Sequence, residues 1–151
     1  MMALTTFVSQ NRGAKEYERA RKGAHFGLGC SVSLAETIGV LIALFATPLM
    51  RLFVDDPQVI QYGVERAHYA TILFFLLAYS HGVSAVLRGV GKSVVPMVVM
   101  LVCWCLVRVT LLTMLNMLFH NILFVYLIYP FTWSLSSIVF FLYYRKINWQ
   151  E

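Results

Sequence analysis

The sequence predicts an all-α integral membrane bundle of four complete transmembrane helices with both termini cytoplasmic. Three observations predict it. First, 60% of the 151 residues are hydrophobic and only 13% charged, where soluble domains run roughly 45–50% apolar and about 25% charged; mean hydropathy is +0.73. Second, the apolar residues come in unbroken blocks, charge-free from Ala67 to Leu87 and from Val109 to Tyr144, and a bilayer needs about 20 residues of helix per crossing. Third, Gly23, Gly27, Ser31, Ala35, Gly39, Ala43 and Thr47 recur at every fourth position. That spacing lines small side chains along one helix face, the device by which membrane helices approach closely.

Two segments divide the chain: residues 1–25, the end of a truncated span plus a basic cytoplasmic helix, and residues 26–151, the four-helix bundle. Met1–Ser9 is apolar but too short to span, and it lacks the basic start and small-residue cleavage site of a signal peptide. Gln10–Lys22 is expected as one polar helix, with Lys15, Arg19 and the acids Glu16 and Glu18 at helical spacing. The first complete span covers about 26–50. Asp55-Asp56-Pro57 is an N-cap with proline at the first helical position, and it opens a second span of about 59–87. Gly89 and Gly91 permit a tight turn after it. The third span is about 94–118 and the fourth about 122–144, with Pro130 inside it and a bend expected there. Tyrosines and tryptophans near the span ends suit the interface.

Orientation follows from basic residues. Arg12, Lys15, Arg19, Arg21, Lys22, Arg88, Lys92, Arg145 and Lys146 fall on one side, against Arg51 and Arg66 on the other. The richer side is expected in the cytoplasm. A net charge of +5 therefore orients helices, and no basic patch among aromatics suggests nucleic acid. Cys30, Cys103 and Cys105 lie in apolar blocks without disulfide spacing and read as buried, inert thiols. The four histidines lack metal-ligand spacing. Gly89-Val90-Gly91-Lys92-Ser93 imitates the tail of a P-loop, but Val86 stands where the motif needs glycine and a membrane helix where it needs a strand.

Glu36, His81 and Arg108 lie at membrane depth, where ionisable groups face a bundle interior or a watery cavity and mark substrate or ion pathways. Arg108 has Trp104 one turn back, within cation–π range. His81 shares a helix face with Ser84 and Arg88. Glu36 and Arg108 are expected to pair, each making the other tolerable in a low dielectric. No nucleophile–base constellation and no carboxylate pair shares a face within a span, which argues against an enzyme.

Several segments together resemble one family. Phe7-Val8-Ser9-Gln10-Asn11 with Gly13-Ala14 and Tyr17-Glu18-Arg19-Ala20 is similar to the end of the eighth helix and the following loop of multidrug and toxic compound extrusion (MATE) transporters. Pro48-Leu49-Met50-Arg51-Leu52-Phe53 with Asp55-Asp56-Pro57 resembles the exit of their ninth helix. Leu87-Arg88-Gly89 with Gly91 and Pro96-Met97 resembles the turn between the tenth and eleventh, and Val102-Cys103-Trp104-Cys105-Leu106-Val107-Arg108 the eleventh. The resemblance implies part of a C-terminal lobe in a twelve-helix antiporter at the plasma membrane. Such a protein exports organic cations or other toxic compounds in exchange for H+ or Na+, by alternating access and with no cofactor. Its implied partners are the lipid bilayer, small-molecule cargo and an N-terminal lobe outside this chain, so a truncated reading frame is expected. The core of the matching tenth helix, Ala70 to Gly82, has no Asp or Glu, a departure from sodium-coupled members. Two other readings stand beside it. One is a lipid-linked oligosaccharide flippase of the wider superfamily. The other is a non-transporting scaffold that associates through the small-residue row of Gly27, Ser31, Ala35, Gly39 and Ala43.

Overall fold

The computed structural model describes residues 1–119 and 122–149. The turn expected around His120 lies outside the described residues. The described residues form helices joined by turns and short irregular connections, with no strand among them. Helix α1 is Met2–Gly13, α2 Tyr17–Leu44, α3 Ala46–Arg51, α4 Pro57–Thr71, α5 Phe74–Gly89 and α6 Val94–Met100; a π-helical segment, Leu101–Val107, leads into α7, Arg108–Phe119, and α8 is Ile122–Arg145.

Among the described residues, three helices are long and apolar enough to cross a membrane: Tyr17–Leu44, Val94–Leu118 and Phe124–Arg145. The pair α4 and α5 makes a fourth crossing if it is one broken span, bent by 56°. Large apolar side chains such as Phe26, Leu34, Leu44, Leu106, Val109 and Ile138 point outward, which a bilayer tolerates and water does not.

Three boundaries differ from the sequence expectation. The basic segment Gln10–Lys22 is not one helix. It breaks after Gly13, because Lys15 takes a left-handed φ of 62° while Glu16 N–H reaches Asn11 O at 2.8 Å and Lys15 N–H reaches Arg12 O at 2.9 Å. This is the Schellman closure of a helix end. The first span, expected at 26–50, starts nine residues earlier and stops at Leu44. Pro48, in the first turns of α3, explains the stop, since its ring would clash with the carbonyl of residue 44 in a continuous helix. The second span is broken at Ile72–Leu73.

Other signals act as expected. Asp56 caps α4, its carboxylate accepting Gln58 N–H at 2.8 Å, with Pro57 in the first turn. Gly91, at φ 85°, ends α5 with the same closure seen at Lys15: Lys92 N–H to Leu87 O at 2.9 Å and Gly91 N–H to Arg88 O at 3.0 Å. Helix α8 continues through Pro130.

The core lies toward the basic end of the bundle, where Val8, Leu28, Val86, Leu87, Val99 and Phe140 pack together. Helix α5 is central, touching α1, α2, α6 and α8. The small-residue row serves this packing. Gly23 faces the Phe7 ring, Gly27 faces Leu4, and Gly39 lies against Phe74 and Thr71 of the broken span. The cysteines divide: Cys103 is buried, whereas Cys30 and Cys105 face outward. Their helices have an outer apolar face that needs no core, so a thiol there is not a buried one.

Candidate functional site

A line of polar side chains runs through the interior between α5, the π segment, α7 and α8. Ser80, Thr132, Ser136 and Ser137 are all buried, and each hydroxyl has a partner. Ser80 Oγ lies 3.0 Å from Ser136 Oγ and 2.9 Å from Ser137 Oγ. Ser137 donates to Leu76 O at 2.9 Å, Ser136 donates to Trp133 O at 3.0 Å, and Trp104 Nε1–H donates to Ser136 Oγ at 3.2 Å. Interhelical hydroxyl bonds of this kind contribute about 0.6 kcal/mol each in membrane proteins. The seam thus fixes how three elements meet more than how tightly they hold.

Arg108 extends the seam toward the other end. Its Nη2–H donates to Thr132 Oγ1 at 2.7 Å and Nε–H approaches the same oxygen at 3.3 Å. Thr132 Oγ1–H in turn donates to Tyr129 O at 2.9 Å. The guanidinium sits 5.4 Å from the Trp104 ring, as its spacing on the helix predicts, and 4.6 Å from the Tyr129 ring, which the sequence did not indicate. A cation bounded by two π faces and a hydroxyl has electrostatic company without a counter-charge. On the other side Arg66 lies 5.1 Å from Tyr129.

His81 meets Trp104 edge-on at 5.0 Å between ring centres. It sits next to the seam through that ring. Its helix-face neighbours bond to each other, Arg88 Nη1–H to Ser84 Oγ at 2.7 Å.

Glu36 stands apart. The expected ion pair with Arg108 is not formed: α2, which carries Glu36, packs on α1, α4 and α5, while α7, which begins with Arg108, packs on the π segment and α8. Glu36 Oε2 instead accepts the backbone N–H of Phe75 at 3.1 Å. Phe75 is the second residue of α5, and Leu73 before the helix supplies no side-chain cap. The first N–H groups of a helix have no partner within it, and inside a membrane each must find one. Glu36 therefore caps the broken span from a neighbouring helix, with its charge at the positive end of the helix dipole. One turn further along α2, Gly39 leaves room for the break: a Cβ there would lie 3.0 Å from Phe74 Cδ2 and 3.4 Å from Thr71 O.

Of the three ionisable residues singled out from sequence, Arg108 and His81 share one polar seam through Trp104, and Glu36 occupies the joint of the broken span. Sequence reasoning missed Ser80, Tyr129, Thr132, Ser136 and Ser137. A signal existed in the hydroxyl run Thr132, Ser134, Ser136 and Ser137 within an otherwise apolar helix.

Comparison with known proteins gives a consistent set. Residues 1–114 match the MatE family model. A probable multidrug resistance protein NorM of Thermotoga maritima is 31% identical over 98 residues, covering 65% of this chain and 21% of the relative. One of the same name from Aromatoleum aromaticum is 31% identical over 103 residues, 68% of this chain and 22% of the relative. Another from Chromobacterium violaceum is 29% identical over 97 residues. The matched segment thus spans about a fifth of the length of these relatives.

Proposed function

This chain belongs to the MatE family, and from that premise we propose that it forms the C-terminal spans of a multidrug efflux transporter. In this reading it is a transport component rather than an enzyme. It moves organic cations or other toxic compounds outward across the plasma membrane in exchange for H+ or Na+. The basic end holding Arg12, Arg21, Arg88 and Arg145 is cytoplasmic, and an N-terminal lobe supplied from outside this chain closes the cargo cavity. Helix α1 ends the preceding span, and the turn after Gly13 links it to the bundle that opens with α2.

The observation that carries the mechanism is the broken α4–α5 span with Glu36 on its joint. Discontinuous helices in secondary transporters present helix ends to charged ligands at the membrane midplane, and transport follows from one bundle rocking against another. Here the open helix end is held by a carboxylate. A carboxylate set against a helix terminus contributes an attraction worth about 0.3–1 kcal/mol when exposed and up to ~2 when partly buried. A coupling ion that engages Glu36 in place of the helix end would therefore loosen the joint, linking ion movement to a change of bend. Arg108 carries a permanent charge and cannot itself shuttle protons; in this reading it, His81 and the hydroxyl seam form a fixed polar wall of the pathway.

Dye efflux driven by an imposed pH or sodium gradient tests the proposal, in proteoliposomes holding this chain with a matching N-terminal lobe. The pair is expected to export dye, and the chain alone is not, since four spans offer half a cavity. Glu36→Gln should keep the assembled protein folded and uncouple efflux from the gradient. Wild-type coupling in Glu36→Gln would remove Glu36 from the mechanism. Absence of efflux from a folded, assembled pair would remove the transport reading itself.

A further inference from the structure

We propose that the groove between α2 and α8 binds an anionic phospholipid drawn from the leaflet at the basic end of the bundle. The groove is open on its outer side and encloses about 800 Å³. Arg21 and Arg145 stand at its mouth with His25, and no acidic side chain lines it among the described residues. Glu16 and Glu18 line a separate, adjoining hollow together with Lys15 and Arg21. Two guanidiniums from different helices, lining one groove that no described carboxylate lines, match a phosphodiester by charge and by donor type.

Below the mouth the chemistry changes. Val32, Tyr79 and Phe141 line the groove and continue into a second trough walled by Phe75, Leu76 and Ile138. From Arg21 to Ser33 the helix rises about 18 Å, close to half of a roughly 30 Å hydrocarbon core. The apolar part thus has the length of an acyl chain in one leaflet. At the junction, Tyr144 approaches His25 Nδ1 through its hydroxyl at 3.4 Å and meets Trp149 edge-on at 6.3 Å. Amphipathic rings of this type mark the headgroup level of a membrane.

A charged head, an interfacial belt and an apolar trough in that order select one occupant. Free phosphate would leave the trough unused, and a peptide strand would bring backbone groups that these apolar walls cannot satisfy. Cationic cargo would meet Arg21 and Arg145. The site lies on the bundle's outer surface and is independent of the transport proposal.

Native mass spectrometry of the protein purified in detergent tests it, using phosphatidylglycerol and phosphatidylcholine of matched chains. One phosphatidylglycerol should be retained in preference to phosphatidylcholine. Arg21→Gln with Arg145→Gln should weaken that preference by about thirtyfold, the scale of two basic residues acting on an anionic lipid. Lys146→Gln removes a neighbouring charge that does not line the groove and should leave the preference intact. A second readout needs no variant: in bilayers, phosphatidylglycerol brominated on its chains should quench tryptophan emission more than brominated phosphatidylcholine at equal mole fraction. Equal retention of the two lipids, equal quenching by them, or an equal loss in Lys146→Gln would each overturn the proposal. So would exclusion of both lipids by another protein segment covering the groove.

Discussion

At the scale of single residues, the sequence marked the depth of the charged groups but not their partners. Glu36, His81 and Arg108 announce themselves because ionisable residues in apolar helices are rare. Pairing Glu36 with Arg108 followed from charge alone, and the packing of α2 and α7 on different neighbours defeats it. What satisfies Glu36 is a backbone N–H freed by a helix break, and backbone donors carry no sequence label. The two Schellman closures make the same point at positive φ. Gly91 was legible because glycine adopts φ 85° without strain, while Lys15 at φ 62° was hidden behind a side chain that rarely takes that conformation. This difference predicts opposite mutational effects. Lys15→Gly should stabilise the protein by about 0.5–1 kcal/mol, since a left-handed residue with a Cβ costs roughly 1–2 kcal/mol and glycine's extra freedom in the unfolded chain offsets part of that gain. Gly91→Ala should destabilise by about 1 kcal/mol. Thermal unfolding in one detergent would compare them, and equal shifts of the same sign would contradict the assignment.

At the scale of elements, hydropathy and caps located the crossings but not their interruptions. The third and fourth spans needed only continuous apolar sequence, and Asp56 with Pro57 placed the start of α4. The break after Leu44 was legible in Pro48 and was not drawn from it. The break at Ile72–Leu73 contains neither proline nor glycine and could not be read locally. Its causes sit on another helix, in the Glu36 carboxylate and the space beside Gly39. Gly39→Leu should therefore do more than crowd two helices. It should push α2 off the joint and destabilise by about 1–3 kcal/mol, as overpacked sites do. Val40→Leu, at a side chain 50% exposed, should stay within about 0.5 kcal/mol of wild type. Detergent unfolding of both variants checks this, and equal tolerance would mean that the row does not face the broken span.

At the scale of the whole molecule, the distribution of charge and the packing agree. Arg12 bonds Val90 O in the turn after α5, and Arg21 and Arg145 meet at one groove, so residues grouped only by the positive-inside argument share an end of the structure. Reporter tags at either terminus or between Arg88 and Ser93 should read as cytoplasmic, and a tag near Asp55 as external. Protection of the Asp55 loop in right-side-out vesicles would reverse the orientation. The Asp55 loop opens the far arm of the broken span, and the arm has the proportions of a lever. Helix α4 holds 15 residues, about 22 Å of rigid rod at 1.5 Å per residue, with its inner end at the joint beside Glu36. A change of 10° at the fulcrum would sweep the Asp56 end through about 4 Å. An alteration at the joint smaller than one hydrogen-bond length would thus arrive at the far end of α4 as a displacement wide enough to admit or exclude a water molecule.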